Sequence, residues 1–90
     1  MNCKKYPCPC CGYKTLDSPS GHYQICHICF WEDCPFQNEH VDDDGGPNMV
    51  SLRQAQKNFD EFGACERDML KYTSKPSKSD VRDPLWHPLS

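Results

Sequence analysis

Leu52, Ala55, Phe59 and Phe62 recur at i, i+3, i+7 and i+10, which sets them along one stripe of an α-helix. Ser51 offers an N-cap oxygen, Gln54 stands three residues later as in a capping box, and Gly63 is placed to end the helix. The pattern predicts an amphipathic helix over 51–62, and a weaker helical pattern continues from about 64 to 72. Upstream the period shortens. Tyr13-Lys14-Thr15-Leu16 alternates and holds β-formers, Asp17-Ser18-Pro19-Ser20-Gly21 has turn composition, and His22-Tyr23-Gln24-Ile25 reads as a second short strand. Together they predict a β-hairpin over 13–25. Residues 38–48 form a polar, turn-rich loop, and residues 73–84 have linker composition. The chain then turns apolar again at Leu85-Trp86-His87-Pro88-Leu89. The expected organisation is one domain over 1–72 and a tail, 73–90, that is flexible or docks on the domain or on a partner.

Composition changes this picture in one respect. Only 37% of 90 residues are hydrophobic, and a domain this small buries too little apolar surface to be secure without a staple. Eight cysteines offer one, as disulfides or as metal ligands. Met1–Pro7 has no apolar run, so no signal peptide is expected, and no stretch of about 18 apolar residues predicts a membrane span. A cytoplasmic protein with its thiolates on a metal is the expectation.

Cysteine spacing names the site. Cys8-x-x-Cys11 and Cys26-x-x-Cys29 are two pairs with fourteen residues between them, the signature of a four-thiolate zinc site. A hairpin over 13–25 brings its ends together and so brings both pairs to one place. The expected fold class is a small metal-stabilised α+β domain. Its core is a zinc-ribbon or rubredoxin-like β-hairpin with two Cys knuckles, and the amphipathic helix packs on it beside Trp31. Pro9 stiffens the first knuckle, and Gly12 supplies a position where positive φ is needed. Cys8, Cys11, Cys26 and Cys29 would hold one Zn per chain, with Fe possible. Phe30, where a second knuckle glycine would suit a rubredoxin, weighs against iron. Four thiolates close the shell and leave no position for water, which makes the site structural. Cys10, next to Cys11, is an alternative ligand or a spectator thiol, and a reactive one if exposed. His22, His27, Cys34 and His40, or the Asp42-Asp43-Asp44 run, were weighed as a second metal site and lack the ordered spacing for it.

The residues from Tyr6 to Glu66 resemble the cysteine-rich CPCC family. The likeness rests on Cys8-Pro9-Cys10-Cys11-Gly12-Tyr13 with Thr15-Leu16, on Tyr23-Gln24-Ile25-Cys26-His27-Ile28-Cys29-Phe30-Trp31-Glu32-Asp33, and on Gly45-Gly46-Pro47-Asn48. Ser51-Leu52, Ala55, Asn58-Phe59 and Phe62-Gly63 complete it. The resemblance implies a bacterial or phage protein with a metal site, and it brings no reaction with it. His27 stands where the family often has Pro, and Cys34 where an acidic residue is usual, which argues against Cys34 as a ligand of the shared site.

Charge narrows the function. Net charge is −3, and Glu32, Asp33, Glu39, Asp42, Asp43 and Asp44 crowd one segment that has no Lys or Arg. A nucleic-acid binder normally shows a basic face, and here only Lys4, Lys5 and Lys14 on the ribbon would supply one. The favoured function is a zinc-binding module that meets a protein partner through the acidic segment 32–44. An enzyme or redox protein using Cys10 or Glu32/Asp33 beside the thiolates, and a nucleic-acid-binding ribbon, are the alternatives.

Overall fold

The computed structural model describes residues 4–89. Strand β1 (Tyr6–Pro7) is followed by β2 (Lys14–Leu16), a short helix α1 (Pro35–Glu39), helix α2 (Leu52–Phe62) and a 3₁₀ helix over Arg67–Tyr72. The result is a small α+β fold around a cluster of cysteines.

The pairing of the strands differs from the expected hairpin. Lys14–Leu16 is a strand, but it pairs antiparallel with Tyr6–Pro7, Tyr6 opposite Leu16 and Pro7 opposite Lys14, across the first cysteine pair. Residues 22–25 form no strand of their own. Tyr23 has φ 59°, which interrupts extended backbone, and the segment pairs instead with the chain just after Cys29. The Tyr23 N–H donates to the Asp33 carbonyl (2.9 Å), the Asp33 N–H to the Gln24 carbonyl (2.9 Å), and Ile25 bridges to Glu32. Each cysteine pair is thus closed by its own local ladder.

The two knuckles repeat one backbone pattern. Cys8 N–H donates to the Tyr13 carbonyl (2.9 Å) and Gly12 N–H returns to the Cys8 carbonyl (2.8 Å). Cys26 N–H donates to the Trp31 carbonyl (3.1 Å) and Phe30 N–H returns to the Cys26 carbonyl (2.8 Å). The residue after each second cysteine has positive φ, 77° at Gly12 and 67° at Phe30. A left-handed Phe costs about 1–2 kcal/mol. Its ring is stacked on Tyr72, centroids 5.1 Å apart, which anchors the strained position to the end of the 3₁₀ helix.

Helix α2 has the ends its sequence predicts. Ser51 Oγ accepts from the Gln54 N–H (3.1 Å), and Gly63, at φ 89°, closes the helix with its N–H on the Phe59 carbonyl. Leu52 and Ala55 are buried against the cysteine cluster and Trp31, with Phe59 packed alongside.

Helix α1 is not among the elements that the hydrophobic pattern predicts. Pro35 occupies its first turn, where the missing N–H costs nothing. The helix carries Gln37, fully buried, whose Nε2 donates to the carbonyls of Asp43, Asn48 and Val50 and whose Oε1 accepts from Asn48 N and Nδ2. One side chain thereby pins the polar loop.

Asp33 does a similar task inside the fold. It is 1% exposed; Oδ2 accepts from the N–H groups of Gly21 (2.6 Å) and His22 (3.2 Å), and Oδ1 from Asn38 Nδ2 (2.7 Å). Asn38 in turn accepts from the buried Trp31 Nε1 (3.2 Å). Asp33→Ala strips acceptors from three donors, and a loss of about 2–3 kcal/mol is expected. Urea denaturation of the metal-loaded protein measures it, and an unchanged midpoint would remove Asp33 from the framework.

The segment after α2 returns to the first knuckle. Ser74 N–H donates to the His27 carbonyl (2.9 Å), Lys14 N–H to the Val81 carbonyl (2.8 Å), and Asp83 N–H to the Gly12 carbonyl (2.8 Å). Arg82 Nε donates to the Cys11 carbonyl (2.8 Å), Trp86 Nε1 to the Pro9 carbonyl (3.2 Å), and Leu89 N–H to Gln56 Oε1 (2.7 Å).

Candidate metal centre

The knuckles face each other across the core. Cys8, Cys11, Cys26 and Cys29 are each 0% exposed, and their sulfurs all lie within 4.8 Å of one another. Cys8 Sγ is 3.6 Å from Cys29 Sγ and Cys11 Sγ is 3.7 Å from Cys26 Sγ. Each close pair takes one sulfur from each knuckle. A metal bonded to four thiolates at about 2.3 Å sets sulfurs about 3.8 Å apart along the edges of its tetrahedron. The two close separations fit that figure and are far beyond a disulfide bond of about 2.05 Å. Every described cysteine is free. The four sulfurs can therefore hold a metal ion.

The electrostatics of the cluster point the same way. Hydrogen bonds from Cys11, then from Cys29 and Cys8, with a further one from Thr15 Oγ1 at 3.0 Å, hold the Cys26 sulfur far below the usual thiol range. Cys8 and Cys29 are pushed up, by burial first and by neighbouring thiols next. A metal held by these four cysteines would need them as thiolates, so its binding would release protons. Thr15, on β2, supplies the hydroxyl that orients a ligand from outside the shell.

Other cysteines sit close but apart from the four. Cys10 is 1% exposed, so it is not the exposed reactive thiol that its position beside Cys11 allowed. Its side chain touches Cys29, while Cys11 occupies the corner of the cluster. Cys65 is buried at 2%, its N–H on the Cys29 carbonyl (2.8 Å), and burial pushes its thiol up to about 12. Nothing in its sequence surroundings singled it out; Gly63 ending α2 was the one cue that the chain turns there. Cys34 is buried as the N-cap of α1.

The histidines are not brought together. His22 Nδ1 is 2.8 Å from the Pro19 carbonyl, His27 is 3.6 Å from Asp80, and His40 lies against the Phe36 ring. Among the described residues the four knuckle cysteines are the sole set arranged to hold an ion. Asp33 is committed to the framework, as described above. Glu32 has its backbone N–H and carbonyl bound by the Asn48 amide (2.8 Å each). The acidic segment is accordingly divided: Asp33 faces inward, while Glu39, Asp42, Asp43 and Asp44 are exposed. No described helix is long and apolar enough to cross a membrane.

Comparison with known proteins agrees with the motifs. No curated protein matches the chain. The family described as cysteine-rich CPCC matches residues 6–80, a span that runs beyond Glu66 through the 3₁₀ helix and into the returning segment. With both knuckles and their cysteine cluster inside that span, the chain belongs to the cysteine-rich CPCC family.

Proposed function

We propose that the chain is a zinc-binding module whose single Cys₄ site holds the fold shut and that meets a protein partner from the cytoplasm. The observation that carries the zinc reading is the complete burial of four sulfurs within 4.8 Å of one another, two of their separations matching the edge of a zinc–thiolate tetrahedron. A shell closed by four thiolates has no open position for water or substrate, so its role is structural. Zinc suits such a site through its tolerance of tetrahedral thiolate geometry without redox chemistry. Elemental analysis with native mass spectrometry tests it. One zinc per colourless chain is expected, and a red protein carrying iron would replace the reading with an electron-transfer one.

The partner reading rests on the exposed Glu39, Asp42, Asp43 and Asp44. Asp42 shares its charge with Arg53 at 2.7 Å, and Asp43 accepts from the Gly45 N–H, so the loop is held in shape. A basic protein surface is the complementary chemistry. On the opposing side, Lys5 is paired with Asp17, which spends part of the basic trio that a nucleic-acid reading needs. Charge reversal at Asp42, Asp43 and Asp44 is expected to abolish binding to such a partner while leaving metal content unchanged; undiminished binding would dismiss the acidic face.

A further inference from the structure

Helix α2 and the returning segment do not close fully on each other. Between them lies a cavity of about 400 Å³, within the range of about 300–1,000 Å³ typical of small-ligand sites. Phe59 from α2 and Trp86 and Leu89 from the returning segment give it apolar walls, and Lys57, Arg82 and Arg53 stand around it, with Asp60 the one carboxylate among the described residues. The local charge is therefore positive in a chain whose net charge is −3.

The cations differ in what they have left to offer. Arg53 is shared with Asp42. Arg82 is fixed in place: its Nε is on the Cys11 carbonyl and its guanidinium lies 5.0 Å from the Trp86 ring centre and 5.4 Å from that of Tyr13. Lys57 is exposed and makes no ion pair among the described residues. A flexible ammonium and an oriented guanidinium thus share an apolar cavity whose aromatic faces come from two chain-distant segments. Charged groups at a site like this fix orientation, and the apolar walls supply affinity.

We propose that this cavity binds a small organic acid, a carboxylate on an aromatic body, with the ring against Phe59 and Trp86 and the carboxylate at Lys57 and Arg82. Cys10 lines the cavity, whereas none of the four cluster cysteines does.

The test uses full-length metal-loaded protein and three probes with one ring system: 2-naphthoate, neutral 2-naphthylmethanol and cationic 2-naphthylmethylamine. Titration is followed by the backbone and indole N–H signals in two-dimensional NMR. Saturable shifts with 2-naphthoate at Lys57, Phe59 and the Trp86 indole are expected, with the alcohol about five- to tenfold weaker and the amine weaker still. Lys57→Glu, on an exposed position, is expected to weaken 2-naphthoate by a similar factor while leaving the alcohol unaffected. Equal binding of acid and alcohol, shifts that map elsewhere, or no saturable shift for 2-naphthoate would each overturn the proposal. Trp86→Leu distinguishes the wall from the charge: it is expected to weaken acid and alcohol alike, and equal affinity in that variant would also overturn it.

Discussion

Cys26→Ser is expected to leave a chain that neither retains metal nor shows a cooperative unfolding transition. Cys26 Sγ lies 3.7 Å from Cys11 Sγ and accepts from Thr15 Oγ1 at 3.0 Å, and these contacts hold it below the usual thiol range. A structural zinc contributes roughly 10–16 kcal/mol of apparent binding energy at neutral pH. The whole stability of a small domain is about 5–15 kcal/mol. The ion's contribution therefore equals or exceeds everything the fold has in reserve, and the apolar core offers little else, since most of its fully buried side chains are the cysteines themselves. Chelation of the unaltered protein is expected to unfold it in the same way. Near-ultraviolet circular dichroism, with metal content measured on the same samples, follows both. Cys34→Ala is the control: Cys34 is also buried yet stands outside the cluster, and a cost of about 1–2 kcal/mol with metal content unchanged is expected. Should Cys26→Ser keep a cooperative transition, the metal is not what holds the fold, and the packing of α2 on the knuckles would have to do so.

What could be read from residues alone follows the range of the interactions. Helix α2 was legible end to end because Ser51, Gln54 and Gly63 act within a few residues of themselves. The two CxxC pairs were legible for the same reason: each knuckle is a local turn, and spacing reports local geometry. Which strands paired was not. Lys14–Leu16 is a good strand in either hairpin, and its choice of Tyr6–Pro7 over residues 22–25 depends on where Tyr23 leaves the extended region. Glu32 and Asp33 stand side by side in sequence, yet Asp33 is interior and Glu32 is partly exposed, a difference decided by Gly21, His22 and Asn38. Cys65 joins the knuckles through its backbone contact with Cys29, and no local pattern encodes a contact of that span. The return of Arg82 and Trp86 to Cys11 and Pro9 is longer still. An apolar Leu85–Leu89 on a polar segment left a flexible tail, docking on the domain and docking on a partner all open.

Gly12→Ala tests that return directly. Gly12 stands at φ 77°, where an L-residue costs about 1–2 kcal/mol. A Cβ there would also lie 2.3 Å from Trp86 Cε3 and 2.4 Å from Cδ2. These are atoms of a rigid ring, so the ring must leave the knuckle. Its departure breaks the Nε1 bond to the Pro9 carbonyl and the stack with Arg82. Re-exposing part of an indole adds about 1–3 kcal/mol to the backbone strain. The expected sum is about 2–5 kcal/mol, with metal content unchanged because none of the four cluster cysteines is altered. Fluorescence can watch the event, since Trp31 is 0% exposed and any red-shifted emission belongs to Trp86. The decisive version is a double-mutant cycle with Trp86→Ala. Once the indole is gone, Gly12→Ala has only the left-handed backbone to disturb, so the double mutant should lose less than the sum of the two single losses. Strict additivity, or a Trp86 emission unmoved by Gly12→Ala, would mean that the indole does not rest on the first knuckle in solution.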